Sequence, residues 1–205
     1  MKAKPMRLSR EIFSQDTLTV ARLLLGKRLV RRWNGLRLAG RIVEAEAYIG
    51  EEDKGCHASV GRTARNDVMF GPPGHAYVYF TYGMHWMFNV VTEAEGFPAA
   101  VLIRALEPLE GIPAMERNRK RRAVFDLCSG PAKLAQALCI TRALNGADLC
   151  LRRGAELWLE DAPPIPDNDI VTTPRVGLNH TLEPWKSMPW RFFVQGSAFI
   201  SKVKP

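Results

Sequence analysis

Hydrophobic positions along this chain repeat at two spacings, and the switches between them mark out its elements. Near the start, Leu18, Ala21 and Leu25 recur at helical spacing; Ser14 or Asp16 can cap that helix, and Gly26 suits its end. From Arg28 the period shortens. Arg28–Trp33 and Leu36–Tyr48 read as two strands joined by Asn34-Gly35, the dipeptide of a type I′ hairpin turn. In the second strand, alternation from Ile42 sets Val43, Ala45 and Ala47 on one face and Glu44, Glu46 and Tyr48 on the other. Two carboxylates and a phenol on one face are commonplace if it is solvated and unusual if it is buried.

Periodicity then lapses. Ile49–Gly74 is rich in glycine, proline and charge and reads as a long ordered loop, the kind that usually carries function in a compact domain. Beyond it lies the most aromatic stretch of the chain. Ala76–Thr81 forms one arm of a hairpin, with Tyr77 and Tyr79 on one face and Val78 and Phe80 on the other. Tyr82-Gly83 makes the turn, glycine supplying the left-handed backbone, and Met84–Val91 returns. Rings on a lone hairpin are most simply ordinary core or interface residues; the carboxylate-bearing strand upstream and the basic charge around them point instead to a site. Ala99–Leu106 is an apolar strand interrupted by Arg104, which needs a partner or a ligand there. Ser129-Gly130-Pro131-Ala132-Lys133 opens a helix with Leu134 and Leu138 on one face; its free N–H groups, with Lys133, suit a phosphate. Ala155–Glu160 and Trp190–Val194 read as further strands, with Pro163–Pro166 a rigid turn between them.

Charge narrows the partner. Twenty-nine Lys and Arg against 21 acidic residues leave a formal +8, which suits a polyanion such as nucleic acid or an anionic membrane surface. The basic run Arg117, Arg119, Lys120, Arg121 and Arg122 falls at a helix end or in a loop; alone it is most simply solvated surface. Arg62, Thr63 and Arg65 in the long loop suit phosphate contacts. No apolar run nears the roughly 20 residues that span a bilayer. The Met1–Arg7 start is basic but lacks an apolar signal core, so an intracellular protein with no membrane partner is expected. Cys56, Cys128, Cys139 and Cys150 have no metal-site spacing and read as reduced thiols, and Cys56-His57 alone cannot furnish four zinc ligands. With 205 residues, 46% of them hydrophobic, and no linker, a single domain is expected.

Several blocks, in order, resemble the alkyladenine (3-methyladenine) DNA glycosylases: Val43–Tyr48, His57, Gly61–Asn66, Met69–Tyr79, Tyr82-Gly83-Met84, Asn89, Arg104–Gly111, Ser129–Leu134, Arg175-Val176-Gly177 and Arg191–Val194. The resemblance covers most of the chain from about Asp16 to Ser201. It departs from the pattern at Val60, where a basic residue is frequent, and at Ala64, where proline is common. It implies one α+β domain over residues 1–205, with a curved, mainly antiparallel sheet, flanking helices and a protruding aromatic hairpin. The implied enzyme is monofunctional and monomeric, and it needs no metal or cofactor. Its partner is double-stranded DNA carrying damaged purines: 3-methyladenine, 7-methylguanine, hypoxanthine or ethenoadenine. It would act on chromosomal DNA in the cytoplasm, or in a nucleus if the source is eukaryotic. By the same resemblance Glu46 activates a water, with Arg104 and the Val176 carbonyl positioning it. Tyr48, His57 and Tyr79 stack on the extruded base, Tyr82 is the wedge with Met84 beside it, and Asn89 clashes with the 2-amino group of guanine. Arg62, Thr63, Arg65, Ser129, Gly130 and Lys133 would touch the DNA backbone.

The chemistry fits these residue types. Extruding a base costs about a few kcal/mol, and stacking on aromatic rings returns roughly 1–3 kcal/mol. N-glycosidic hydrolysis passes through an oxocarbenium-like state, which a carboxylate stabilises while it takes a proton from water. Two other readings fit the residues alone. One is a noncatalytic nucleic-acid-binding module; the other is a carbohydrate hydrolase using Glu44 and Glu46 as its pair, since i and i+2 carboxyls on a strand lie roughly 6–7 Å apart.

Overall fold

The computed structural model describes residues 6–202; the basic start at Met1–Pro5 lies outside the described residues. The chain opens with a short helix α1 (Arg10–Phe13) and then α2 (Thr17–Leu24), where Asp16 is the cap, its carboxylate accepting from Thr19 N at 2.9 Å. Removing that cap should cost about 1 kcal/mol. Thr17, Val20, Ala21 and Leu24 form the buried face of α2, and Gly26 follows with φ +85°.

Strand β1 (Arg28–Trp33) and strand β2 (Leu36–Ile49) pair through the Asn34-Gly35 turn, both of whose residues take positive φ. The aromatic hairpin is β3 (Ala76–Thr81) and β4 (His85–Val91), so Met84 belongs to the turn and not to the returning strand. Next comes β5 (Ala99–Glu110), four residues longer than the apolar run because Glu107–Glu110 still pair with β2. Three helices follow, α3 (Ile112–Arg119), α4 (Val124–Leu127) and α5 (Pro131–Ala137). The basic run lies at the end of α3 and just beyond it, Lys120 closing the helix in the left-handed conformation. The last strands are β6 (Leu157–Glu160), β7 (Ile170–Thr173) and β8 (Arg191–Val194).

Among the described residues the eight strands join one sheet, in the order β3-β4-β5-β2-β1-β6, with β8 on β2 and β7 on β8. Every strand pairing is antiparallel. The fold is therefore α+β, with a mainly antiparallel sheet and flanking helices. Strand β2 is its axis: it pairs with β5 along its length, with β1 through Arg41, and with β8 at Glu44–Glu46. At the handover the ladder slips twice. Ile42 opposes Leu106 and Glu44 opposes Ala105, which skips Val43; Ala45 then opposes Ile103, which skips Arg104. Paired bulges of this kind bend a strand and re-aim the side chains they carry.

One face of the sheet packs on α2 and α5 through Ala45, Ala47, Val78, Phe88, Val101 and Ile103. The loop between β2 and β3 folds over part of the opposite side as two 3-10 turns, His57–Val60 and Asp67–Phe70. Its Cys56, Ala58, Met69 and Phe70 pack with Tyr77, Val91 and Ala100. Asn66, fully buried, pins this loop: its side-chain amide donates to His57 O and Gly61 O, each at 2.9 Å, and its carbonyl accepts from Thr63 N at 2.7 Å.

Candidate active site

Register places the central site residues in one row. Tyr77 opposes Asn89, Asn89 opposes Leu102, Leu102 opposes Glu46, and Glu46 opposes Arg191, so five strands present one residue each to the same face. Above the row opens a cavity of about 330 Å³, within the size range of small-molecule pockets. Tyr48, His57, Tyr77, Tyr79, Asn89 and Arg104 line it, together with Val176-Gly177-Leu178 and Pro131 at the start of α5. His57 meets Tyr79 edge to face at 4.5 Å between ring centroids, and Tyr77 lies 5.3 Å from Tyr79.

Beneath that lining lies Glu46, wholly buried. Its Oε1 accepts from Val176 N at 2.7 Å, and its Oε2 from the Tyr48 hydroxyl at 2.9 Å and Arg104 Nη1 at 3.1 Å. A carboxylate has about four acceptor positions, so one on Oε1 stays open. Arg104 is the bulge residue of β5, and its guanidinium joins both carboxylates of β2: Nε donates to Glu44 at 2.8 Å. Burial opposes its charge, but Glu46 and Glu44 outweigh burial and raise its pKa.

The two carboxylates are not equivalent. Glu44 is also wholly buried but faces no cavity; Arg104, Arg191 and both the N–H and hydroxyl of Ser201 enclose it. Burial would raise its pKa, yet Arg104, Ser201 and Arg191 together hold it below the usual carboxylate range. The β2 face is therefore no solvated edge, and Glu44, enclosed by four donors and facing no cavity, is not placed to act with Glu46 as a hydrolytic pair.

The aromatic lining of the cavity stays neutral. Burial, with Arg65 adding to it, pushes the His57 imidazole down to about 4, and its Nδ1 is 2.9 Å from the Tyr77 hydroxyl. Burial first and Glu46 second push Tyr79 up to about 12 and Tyr48 well above the usual phenol range. Asn89 is anchored, its amide donating to Tyr77 O at 3.0 Å.

At the hairpin tip Tyr82 is 81% exposed and Met84 67% exposed. Tyr82 and Gly83 both have positive φ, 52° and 65°, so the tyrosine itself takes the left-handed backbone that the sequence reading gave to glycine alone. The loop and helix residues are less free than their charges imply. Arg62 pairs with Asp67 at 2.6 Å, Thr63 N is bound to Asn66, and Arg65 lies over the Tyr79 ring at 5.4 Å. At the start of α5, Lys133 bonds to Asp126 and lies 3.3 Å from the buried Ser129 hydroxyl, with Gly130 as N-cap. Val176 touches Glu46 through its N–H, which leaves its carbonyl for the contact to water that the resemblance implies.

Comparison with known sequences settles the family. The profile described as methylpurine-DNA glycosylase matches residues 11–198. This chain belongs to the methylpurine-DNA glycosylase family. It is a DNA glycosylase, a hydrolase acting on N-glycosyl bonds. A relative from Methanocella arvoryzae is 54% identical over 199 residues, 97% of each chain. Another, from Carboxydothermus hydrogenoformans, is 50% identical over 197 residues, covering 96% of this chain and all of that one. A third, from Chlorobaculum parvum, is 50% identical over 199 residues, 97% of this chain and 92% of its own. All three carry the name 3-methyladenine DNA glycosylase. The relatives are bacterial and archaeal, and nothing in them supports the nuclear alternative. Among the described residues no helix is long and apolar enough to cross a membrane.

Of this glycosylase's cavity, the sequence reading named Tyr48, His57, Tyr79, Asn89, Arg104 and Val176 but omitted Tyr77, Leu102 and Pro131. Tyr77 was recoverable from its alternation with Tyr79. Leu102 and Pro131 carry no local signal, because sheet order and helix placement bring them there.

Proposed function

We propose that this glycosylase acts as a monomer on double-stranded DNA, turning a damaged purine into the cavity and hydrolysing its N-glycosidic bond with water activated by Glu46. The observation that carries the reading is the Glu46 carboxylate: three donors hold it under an aromatic cavity, with one Oε1 acceptor position left open. A water on that position loses a proton to Glu46 while its oxygen bonds to C1′ and the base leaves. Glu46 also stabilises the positive charge that develops on the sugar, in a site where little solvent screens it. Tyr48 and Arg104 orient the carboxylate from one side and Val176 from the other.

Tyr48, His57 and Tyr79 stack on the extruded base. A base alkylated at N3 or N7 is cationic, and a neutral His57 beside it adds no repulsion. Because a cationic base leaves readily, alkylated purines such as 3-methyladenine, the base in the relatives' names, and 7-methylguanine are the faster substrates, and the neutral hypoxanthine and ethenoadenine the slower ones. Tyr82, held out at the tip, fills the vacated stack with Met84 beside it. Asn89, held rigid by its bond to Tyr77 O, is the residue that rejects the 2-amino group of guanine. Arg62, Thr63, Arg65, Ser129, Gly130 and Lys133 contact the DNA backbone; of these, Lys133 acts with Asp126 attached.

The test is release of free base from methylated duplex DNA with no metal added. Wild-type protein should release 3-methyladenine and leave abasic sites without strand cleavage, and Glu46→Gln should release none while still binding the DNA. Base release by Glu46→Gln at the wild-type rate would place the base elsewhere. DNA binding without release by the wild type would leave only a binding module.

A further inference from the structure

Asp53 and Arg175 form the most deeply buried ion pair in the described residues, both side chains being 0% exposed, and no step of the proposed reaction uses either. Arg175 Nη1 meets Asp53 Oδ2 at 2.5 Å and Nη2 meets Oδ1 at 2.7 Å, a two-pronged contact that fixes the plane of the guanidinium. Its Cζ lies over the Tyr48 ring, 4.6 Å from the centroid, and over the Trp190 ring at 5.0 Å.

The pair ties together the three segments that carry the site. Arg175 Nη1 donates to Ala47 O at 3.0 Å, next to Tyr48. Asp53 accepts from Ile49 N at 3.2 Å and from Gly55 N at 2.9 Å, at the start of the segment that leads to His57. Arg175 immediately precedes Val176, whose N–H holds Glu46. Space around it is closed: a Cβ at Gly55 would come within 2.8 Å of Arg175 Nη2. As a purely stabilising device the arrangement is poor. Replacing a buried ion pair by apolar side chains is often neutral or favourable, and Arg175 Nε is buried without a partner among the described residues.

We propose that Asp53 and Arg175 are a positioning pair, which holds the Tyr48 ring at its stacking angle over the cavity. The inference rests on the reading of Glu46 and Tyr48 given above. Neither residue touches the substrate. Arg175 acts as a flat plate behind Tyr48, and Asp53 sets the angle of that plate. A lysine at 175 keeps the charge beside Asp53 but has no plane, so it rescues an electrostatic role and not this one.

The experiment is a double-mutant cycle on single-turnover base release from methylated duplex DNA, in the full chain, with melting temperature recorded alongside. Wild-type release comes first; its absence would overturn the functional reading and this inference with it. Given release, Arg175→Lys should slow the chemical step by about a hundredfold, the scale of loss for a misplacement near 1 Å. In a Tyr48→Leu background, with no ring to position, the same substitution should cost less than about tenfold. Equal losses in both backgrounds, or a wild-type rate for Arg175→Lys, would overturn the proposal. If Arg175→Lys does not fold, Trp190→Leu removes the other aromatic beside Arg175 and goes through the same cycle, with the same two outcomes.

Discussion

Replacing Glu44 with glutamine should damage stability far more than chemistry, and Glu46→Gln should do the reverse. Glu44 is wholly buried and accepts from Arg104 Nε at 2.8 Å, Arg191 Nε at 2.8 Å, Ser201 N at 2.5 Å and the Ser201 hydroxyl at 2.7 Å. An amide of the same shape has no charge and turns one of its two ends into a donor facing that cage. Arg104 would keep Glu46, but Glu44 is the only carboxylate that pairs with Arg191 among the described residues. Leaving one side of a buried ion pair without its partner costs about 3–5 kcal/mol. That is a large share of a total stability of about 5–15 kcal/mol. At about 2–4 °C per kcal/mol for a chain of this size, the melting temperature should fall by about 6–20 °C. The pH dependence carries a sign. The folded pKa of Glu44 is depressed below its ordinary 4.5, so its stabilisation is complete above that value and is lost as pH falls through the folded pKa. The gap in melting temperature between wild type and Glu44→Gln should therefore close only below pH 4.5. At a temperature where both proteins are folded, Glu44→Gln should release base within about tenfold of the wild-type single-turnover rate. Glu46→Gln should release none. An unchanged melting temperature for Glu44→Gln, with a rate loss matching that of Glu46→Gln, would refute the division of roles.

Three further outcomes are expected. His57 is depressed to about 4 from 6.5, so the unfolded chain takes up its proton first, and stability present above pH 6.5 is lost as pH falls toward 4, by about 3 kcal/mol. His57→Gln should flatten the melting temperature against pH in that window, and an undiminished slope there would assign the acid sensitivity to other groups. Tyr82→Ala should lower the fluorescence change of a base analogue opposite the lesion, by the loss of roughly 1–3 kcal/mol of stacking in the extruded state, with less effect on binding of undamaged duplex. Unchanged amplitude would put the wedge elsewhere. Asn89→Ala should raise excision of undamaged guanine relative to hypoxanthine if, as proposed, the amide anchored on Tyr77 O meets the 2-amino group. A wild-type ratio of the two single-turnover rates in a folded variant would make Asn89 structural only.

Much of this molecule could be read directly from local pattern. Arg28–Trp33 and Ala76–Thr81 are strands over the very residues expected, because period-2 alternation and the turn dipeptides Asn34-Gly35 and Tyr82-Gly83 act within a few residues of themselves. The partition of the hairpin held for the same reason: Tyr77 and Tyr79 face the cavity, Val78 lies in the core and Phe80 packs on Trp86 outside it. Strand β7 went unseen because Ile170–Thr173 is short and mostly half-buried, with no alternation to betray it; its pairing with β8 makes it a strand.

What the chain could not declare by itself was which charges would meet. The demand of Arg104 for a partner was plain from its apolar surroundings, but its partners lie some sixty residues earlier, on a strand brought alongside by sheet order. Even the strand assignment would not have sufficed, since the slip at Val43 and Arg104 is what lets one guanidinium bridge Glu44 and Glu46. The same slip region divides two carboxylates of identical local setting into one sealed by Arg191 and Ser201 and one left with an open acceptor position beneath the cavity. Asp53 and Arg175 lie further apart still, 122 residues, and meet because the segment after β7 folds back over the end of β2. Propensity and alternation are short-range terms; the balance of a buried charge depends on whatever the folded chain sets within a few ångströms of it, and that is decided only when the sheet closes.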